Sequence, residues 1–175
     1  MSKRRNLRGA GVLAGAAVLA GLAFGGAAQA MPGDHPDFER YCTPEQVDVA
    51  ISPLDHAMGK TGGDVSFTAK PGQSCLLNGS PVLTFRDAAG QPLGIGNNTP
   101  GGPTEPIEVS EGRPGVATFS FRTVDMNTGE VLHGPTPASV EVALPAPVGA
   151  YTVELPWDSK AEVPGPVDVT PVISR

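Results

Sequence analysis

Short runs in which apolar and polar residues alternate recur along most of the chain. Successive side chains of a β-strand point to opposite faces, so this alternation predicts strands with one buried and one solvated face. The only helical signal is a single turn at Thr43, Pro44 and Gln46, where a capping residue precedes a proline and a glutamine. The chain is therefore predicted to be all-β. Nine segments carry the alternation: 47–51, 65–69, 83–85, 93–95, 107–109, 117–121, 140–144, 151–155 and 167–169.

Residues that favour turns fall between these segments. Glycine and proline are frequent enough to suggest disorder, but disordered chains lack an alternating apolar pattern. Many short strands joined by regular turns are typical of a two-sheet antiparallel sandwich, and we expect about 7–9 strands. The turn signals occupy 61–63, 70–72, 78–79, 89–90, 112–115 and 127–129.

The N-terminus has the organisation of an export signal. The first eight residues carry four basic side chains, and an uncharged run rich in alanine, leucine and glycine follows to residue 30. A retained membrane anchor needs about 20 strongly apolar residues, whereas six glycines dilute this run. We predict a signal peptide over 1–30 with its cleavage site marked by Ala28 and Ala30, then a flexible leader over 31–41 and a single β-sandwich domain over 42–175.

The predicted destination is outside the cell. Arg4 and Arg5 partly resemble a twin-arginine signal, but Arg8 stands where an apolar residue is expected. The general secretory route is favoured, and the twin-arginine route stays open. No later segment is apolar enough to span a bilayer, so we expect a secreted, extracellular protein with no membrane insertion after processing.

The cysteines and the charge limit the chemistry further. Cys42 and Cys75 are the only cysteines, and an even number in an exported chain predicts a disulfide. Free thiols serving redox chemistry or a metal would need a Cys-x-x-Cys spacing or nearby histidines, and the sequence has neither. All 18 acidic residues but only eight of the 12 basic ones follow residue 30, which gives the processed chain a formal charge of −10. That charge repels phosphate backbones and anionic lipids, so nucleic acid is not an expected partner.

The residues around the two cysteines form a pattern of their own. Cys42 opens the run CTPEQV, a Cys-Thr-x-x-x-Leu/Val start, and Cys75 opens the run CLLNGSP. Together with the alternating segment 64–69, they resemble the start of an actinobacterial exported domain family of unknown function, in which the second cysteine begins a Cys-x-Leu-x-Gly-x-Pro-like segment. Here Gly79 and Pro81 stand four and six residues after Cys75. The resemblance implies an immunoglobulin-like β-sandwich with the first two cysteines bridged, and it implies no catalytic residues.

No catalytic arrangement stands out in the sequence. A G-x-S-x-G nucleophile motif is missing, and the acidic residues fall mainly at solvent-facing strand positions or in loops. Trp157 is the only tryptophan, and we expect it to plug one end of the core rather than present a binding face. We therefore expect neither enzymatic activity nor a cofactor.

A calcium site is one alternative. Asp125, Asn127 and Glu130 place oxygen ligands near Gly129 in the way that calcium loops do. The third acidic position and the distal bidentate glutamate of such loops are missing. A hairpin loop explains the same residues without a metal.

A copper site is the other alternative. The chain has three histidines, His35, His56 and His133. His56 lies two residues before Met58, and with Met126 these side chains offer the imidazole and thioether ligands that copper-binding sandwiches use. Surface histidine and gap-filling methionine explain the same residues without a metal.

These observations predict an exported, non-catalytic binding or structural module of the cell exterior. Its partner is expected to be a protein or an envelope glycan, because small rigid sandwiches commonly present loops to such partners. That step rests on fold analogy. The alternative is an extracellular protein that binds copper or calcium. The oligomeric state does not follow from the sequence.

Overall fold

The computed structural model describes residues 40–100, 105–147 and 151–175, which all lie in one compact unit of the chain, His35–Arg175. Every regular element of these residues is a β-strand, so the all-β prediction is confirmed. The predicted signal peptide over 1–30, its cleavage residues Ala28 and Ala30, and the leader up to residue 39 lie outside the described residues. Within the described part, no helix has the length and hydropathy needed to cross a bilayer.

The described residues form twelve strands. In chain order they are β1 Val47–Ile51, β2 Asp55–Ala57, β3 Lys60–Ala69, β4 Ser74–Leu77, β5 Val82–Arg86, β6 Asn97–Asn98, β7 Ile107–Ser110, β8 Gly115–Arg122, β9 Ser139–Ala143, β10 Thr152–Pro156, β11 Val167–Val169 and β12 Ile173–Ser174.

One layer is a seven-stranded sheet built around β3 and β8. These two strands pair antiparallel from Lys60 opposite Arg122 to Phe67 opposite Gly115. The far edge of β3 carries β1 and β2 in succession, and the far edge of β8 carries β11 and β12. β6 joins β11 in parallel orientation, which departs from the predicted antiparallel arrangement. Two edges of this sheet are therefore made of interrupted strands.

The second layer consists of two smaller antiparallel sheets. β10, β9 and β5 form one, and β4 and β7 form the other. Inward side chains of both layers pack into one core, which makes the fold a sandwich. Its largest fully buried side chains are Phe67, Phe85, Phe119, Phe121, Leu77, Leu83, Leu144, Val65, Val109, Val140, Val142 and Val163.

The alternation correctly identified which face of each long strand is buried. In β8, Ala117, Phe119 and Phe121 are buried, whereas Thr118 and Arg122 between and beyond them are exposed. Eight of the nine predicted segments are strands. The structure adds four short strands that the pattern did not indicate, β2, β4, β6 and β12, which is why the number exceeds the expected 7–9.

The predicted strand at 93–95 is wrong. Leu93 and Ile95 lie in irregular backbone that folds back on β5, where the Leu93 N–H donates to the Phe85 carbonyl at 2.9 Å. Gly94 between them has φ 70°, outside the extended region. The alternating pattern alone therefore predicted a strand where the chain folds back on β5.

The predicted turn at 61–63 is also wrong, because these residues lie inside β3. Gly62 pairs with Ser120, and a Cβ on Gly62 would lie 2.3 Å from the Phe119 carbonyl oxygen. The glycine thus permits close approach of two strands rather than a turn. The chain reverses at Met58 and Gly59, whose φ angles of 51° and 74° are those of a two-residue type I′ hairpin.

The predicted disulfide is present. Cys42 and Cys75 are bonded with their Cα atoms 4.9 Å apart, and both side chains are buried. The Cys42 N–H also donates to the Leu76 carbonyl at 3.0 Å, so the bond fixes the chain to β4 just before it enters β1. Between them the predicted capped turn forms, with the Thr43 N–H donating to the Gln46 side-chain oxygen at 3.0 Å.

Candidate ligand-binding cleft

The edge of the large sheet is interrupted between β1 and β2. Both strands pair with β3, but residues 52–54 between them bend away. The Ser52 N–H donates to the Asp64 carbonyl at 2.9 Å, and the Asp64 N–H donates to Ser52 Oγ at 2.9 Å. A side-chain oxygen thus replaces the backbone carbonyl of a regular ladder, and the strand leaves the sheet without an unsatisfied amide. Pro53, which follows, has no N–H to pair.

A glycine in β3 makes room for this bend. A Cβ on Gly63 would lie 3.0 Å from Ser52 Oγ, 3.3 Å from Phe119 Cε1 and 3.4 Å from Leu54 Cδ2. Those distances are too short for all three neighbours to stay in place. Leu54 therefore approaches Gly63 closely, and it is packed against the core cluster.

The opposite wall of the cleft is the segment that leaves β10 at Trp157. The Trp157 N–H donates to the Ala138 carbonyl at 3.0 Å, and its indole N–H donates to the Ala161 carbonyl at 3.3 Å. Its ring meets Phe85 edge-on at 5.3 Å between centroids and Phe119 at 6.3 Å. Trp157 thus links both layers and is only 7% exposed, as expected of a residue that plugs the core.

Between these walls lies a cleft of about 400 Å³. A volume of this size lies within the range of sites for small molecules, and its lining is polar and apolar in about equal parts. The apolar part comes from Ile51, Pro53, Leu54, Pro156 and Trp157, and the polar part from Ser52, His56, Asp158 and Ser159.

The polar groups of the cleft differ in how far they are engaged. Ser159 Oγ accepts the Ala161 N–H at 3.0 Å, which holds its own loop. His56 Nδ1 lies 2.6 Å from Oγ1 of Thr61, a buried side chain of β3. The Asp158 carboxylate is exposed, and no hydrogen bond or ion pair of the described residues includes it. Asp158 is thus the group at the rim that stays available to a ligand.

A second concavity of about 420 Å³ lies on the outer face of the same sheet, around Gly62. It is wide open, and two of its three charged lining residues have ion pairs within the chain. Lys60 pairs with Asp168 at 3.5 Å, and Arg175 pairs with Asp64 at 2.8 Å. The third, Asp55, has no ion pair, but its carboxylate accepts the His56 N–H at 2.8 Å, whereas the Asp158 carboxylate accepts no bond from the described residues.

In the candidate calcium loop, the Asp125 carboxylate is already hydrogen-bonded to the backbone of the loop. Asp125 Oδ1 accepts the N–H groups of Asn127 at 2.7 Å and Thr128 at 3.2 Å. These two bonds lower the pKa of the Asp125 carboxyl below its ordinary value of 3.8. The loop is a hairpin closed by Val124 opposite Val131, as the alternative interpretation predicts.

The candidate copper ligands separate into two groups. His56 faces the cleft, whereas Met58 lies on the hairpin turn and Met126 on the neighbouring loop. His133 is elsewhere, with Nδ1 3.0 Å from Glu162 Oε2, and His35 lies outside the described residues. No group of three histidine, cysteine, aspartate or glutamate side chains in the described part is placed to hold a metal ion.

The cleft itself was not predicted from the sequence. Trp157 was correctly assigned to the core, but its second role as a wall needs the bend at 52–54 opposite it. The only sequence signals were a Ser-Pro pair directly after β1 and a Pro-Trp pair directly after the 151–155 run. Proline near a strand end indicates that the ladder stops there, but the sequence does not show that these two ends face each other.

Residues 42–173 match the sequence family described as a domain of unknown function, DUF4232. The expectation of a family of unknown function, drawn from the residues around the two cysteines, is confirmed. Both walls of the cleft lie inside the matched range. Comparisons with curated proteins and with solved structures gave no match.

Proposed function

We propose a role for this chain, which belongs to the family described as domain of unknown function DUF4232, from its own residues. It is an exported, non-catalytic module that binds a partner through the cleft. The observation that carries this proposal is the cleft of about 400 Å³ between the 52–54 bend and Trp157. One wall is held by the bond that the Asp64 N–H donates to Ser52 Oγ, and the other by the bond that the Trp157 indole N–H donates to the Ala161 carbonyl, so the cleft exists before a partner arrives. A preformed site loses less entropy on binding.

The chemistry of the cleft favours a protein segment over a glycan. Sugar rings stack on exposed aromatic faces, whereas the Trp157 ring is buried by Phe85 and Phe119. Pro53, Leu54 and Pro156 suit an apolar side chain of the partner. The free carboxylate of Asp158, on a chain with more acids than bases, suits a basic group beside it. The proposed partner therefore presents an apolar side chain next to a lysine or arginine.

The proposed location of this role is outside the cell. The Cys42–Cys75 disulfide is compatible with an oxidising exterior, and the predicted signal over 1–30 supplies the route. The non-catalytic character has support in how the hydroxyls are used. Ser52 and Ser159 accept backbone N–H groups of their own chain, which suits a wall better than a nucleophile.

A pull-down with a matched pair of variants tests the proposal. The full chain is expressed with its predicted signal peptide and recovered from the cell exterior. It is then immobilised and exposed to culture fluid and to washed envelope of the producing cells. Asp158→Arg reverses the free charge at the cleft, and Glu111→Arg makes the same reversal on the exposed β7–β8 turn. We expect one partner retained by the unmodified chain and by Glu111→Arg but lost with Asp158→Arg. No enriched protein or glycan, or equal capture by both variants, would overturn the proposal.

The metal alternative has unequal support in its two forms. Calcium would have to compete with the backbone bonds that Asp125 already accepts from Asn127 and Thr128. Copper has separate support at the tip of the β2–β3 hairpin, where Met58 lies on the turn and the loop that leads to Met126 is hydrogen-bonded to Gly59. That second candidate role is a binding activity distinct from the cleft.

A further inference from the structure

The tip of the β2–β3 hairpin carries a residue that the turn does not call for. Type I′ turns favour asparagine, aspartate and glycine, because both central residues have positive φ. Here the first central residue is Met58, with φ 51°, and it is the only non-glycine of the described residues with positive φ. Its side chain is 93% exposed, so packing does not explain it either. A residue held in a disfavoured conformation without a structural reason points to a function.

A second methionine reaches the same tip from another part of the chain. The Thr123 N–H donates to the Gly59 carbonyl at 2.9 Å, which fixes the loop that follows β8 against the hairpin. The Met126 sulfur lies 3.8 Å from the position that a Cβ on Gly59 would occupy. Gly59 is the direct neighbour of Met58, and methionine has three flexible side-chain torsions. Met126 therefore lies beside the turn residue that directly follows Met58.

The chain uses methionine nowhere else in the described residues. The core is built from phenylalanine, valine, leucine and a tryptophan, although methionine commonly fills gaps in cores. Both described methionines are instead at the surface, with Met126 65% exposed. Two sulfur ligands on adjacent, hydrogen-bonded loops are an arrangement that gap filling does not account for.

We propose that Met58 and Met126 form a binding site for a soft monovalent cation, copper(I) in the cell exterior. Thioether sulfur selects copper(I) over harder ions such as zinc or calcium. The neighbouring harder ligands are turned elsewhere, since Asp125 bonds its own loop and His56 bonds Thr61 and faces the cleft. Two sulfurs leave coordination positions open, which suits transfer of the ion rather than permanent storage. This proposal does not depend on the cleft or its partner.

Silver(I), an air-stable ion of the same charge and softness, is the probe. The full chain is expressed with its predicted signal peptide, labelled with ¹³C-methyl methionine and recovered from the cell exterior. It is then titrated with silver nitrate. We expect the Met58 and Met126 methyl resonances to shift together and to saturate at one ion per chain. Either Met58→Leu or Met126→Leu, which keeps the side-chain size but removes sulfur, should weaken binding by about tenfold or more.

The control variant is Val131→Leu, an exposed apolar residue close to the same loop, since Val131 pairs with Val124. It should bind silver as the unmodified chain does. The proposal is overturned if silver shifts neither methyl, or if the Met58→Leu and Met126→Leu chains bind it as tightly as the unmodified one. An unchanged capture of the protein partner in the same variants would show that cleft and tip act separately.

Discussion

The middle of the large sheet and its β1–β2 edge are built from similar sequence but behave differently. β3 and β8 form an unbroken ladder whose inward side chains are fully buried, with glycine at Gly62 only to let the strands approach. At the edge, the same alternation stops at Ser52, and the chain leaves the sheet for three residues. The middle supplies the stability, and the interruption supplies the cleft. Function in this fold is therefore expected where the ladder is broken.

The largest effect is expected from the middle. Phe119→Ala removes a fully buried ring that packs near Trp157, and loss of a buried phenylalanine costs about 3–5 kcal/mol. Urea unfolding followed by circular dichroism measures this loss. Ser120→Ala changes the next residue on the outward face of the same strand and should stay within about 0.5 kcal/mol. A loss below about 1 kcal/mol for Phe119→Ala would contradict a core centred on β3 and β8.

Removing the disulfide should come next. The bond closes a separation of 33 residues, and the chain-entropy estimate for such a loop is about 3–4 kcal/mol. The double variant Cys42→Ala with Cys75→Ala should unfold at correspondingly lower urea concentration. Reduction of the unmodified chain is the matched check, and both should lower the free energy of unfolding by similar amounts. An unchanged midpoint after verified reduction would mean that the anchored start of β1 contributes little.

Disturbing the bend at 52–54 should lower the free energy of unfolding by a smaller amount. Ser52→Ala leaves the Asp64 N–H without its acceptor, and an unsatisfied backbone amide costs about 1–3 kcal/mol. Hydrogen exchange of the Asp64 amide should also accelerate. Ser66→Ala is the matched control, because Ser66 Oγ donates only a long, exposed bond of 3.3 Å to the Ala50 carbonyl. Equal effects of the two substitutions would show that the bend does not rely on Ser52.

The smallest effect concerns pH and the loop near the hairpin tip. Backbone N–H bonds from Asn127 and Thr128 lower the pKa of Asp125 below its ordinary 3.8. A lowered pKa in the folded chain adds stability that is present above the ordinary value and is lost as pH falls through the lowered one. The Asn127 and Thr128 amide resonances should therefore hold to below pH 3.8 and then move. With Asp125→Asn this titration should disappear, and its persistence would assign the change to another group.

The two regions also differ in how far sequence alone predicts them. The buried faces of β3 and β8 follow from alternation, because each residue's side depends only on its neighbours in the strand. The disulfide followed from the number of cysteines and the predicted export. By contrast, the cleft depends on a bond that the Asp64 N–H donates to the side chain of Ser52, 12 residues earlier, and on the space left at Gly63. Local patterns carry no information about such contacts.

The wrong predictions have the same origin. A Gly-Gly pair at Gly62 and Gly63 is a turn signal in isolation, but here both glycines serve contacts with β8 and with the 52–54 bend. The real turn at Met58 carries no turn-forming residue before Gly59. Two of these departures from local preference, at Gly63 and Met58, lie beside the cleft and at the hairpin tip, where we propose binding.

The most direct test of the binding role uses the single tryptophan. Incorporation of 5-fluorotryptophan gives one ¹⁹F resonance, from the wall of the cleft at Trp157. Titration with the partner retained in the pull-down should shift this resonance in the unmodified chain and in Glu111→Arg but not in Asp158→Arg. A partner that binds while the Trp157 resonance stays in place would contradict a binding site in the cleft.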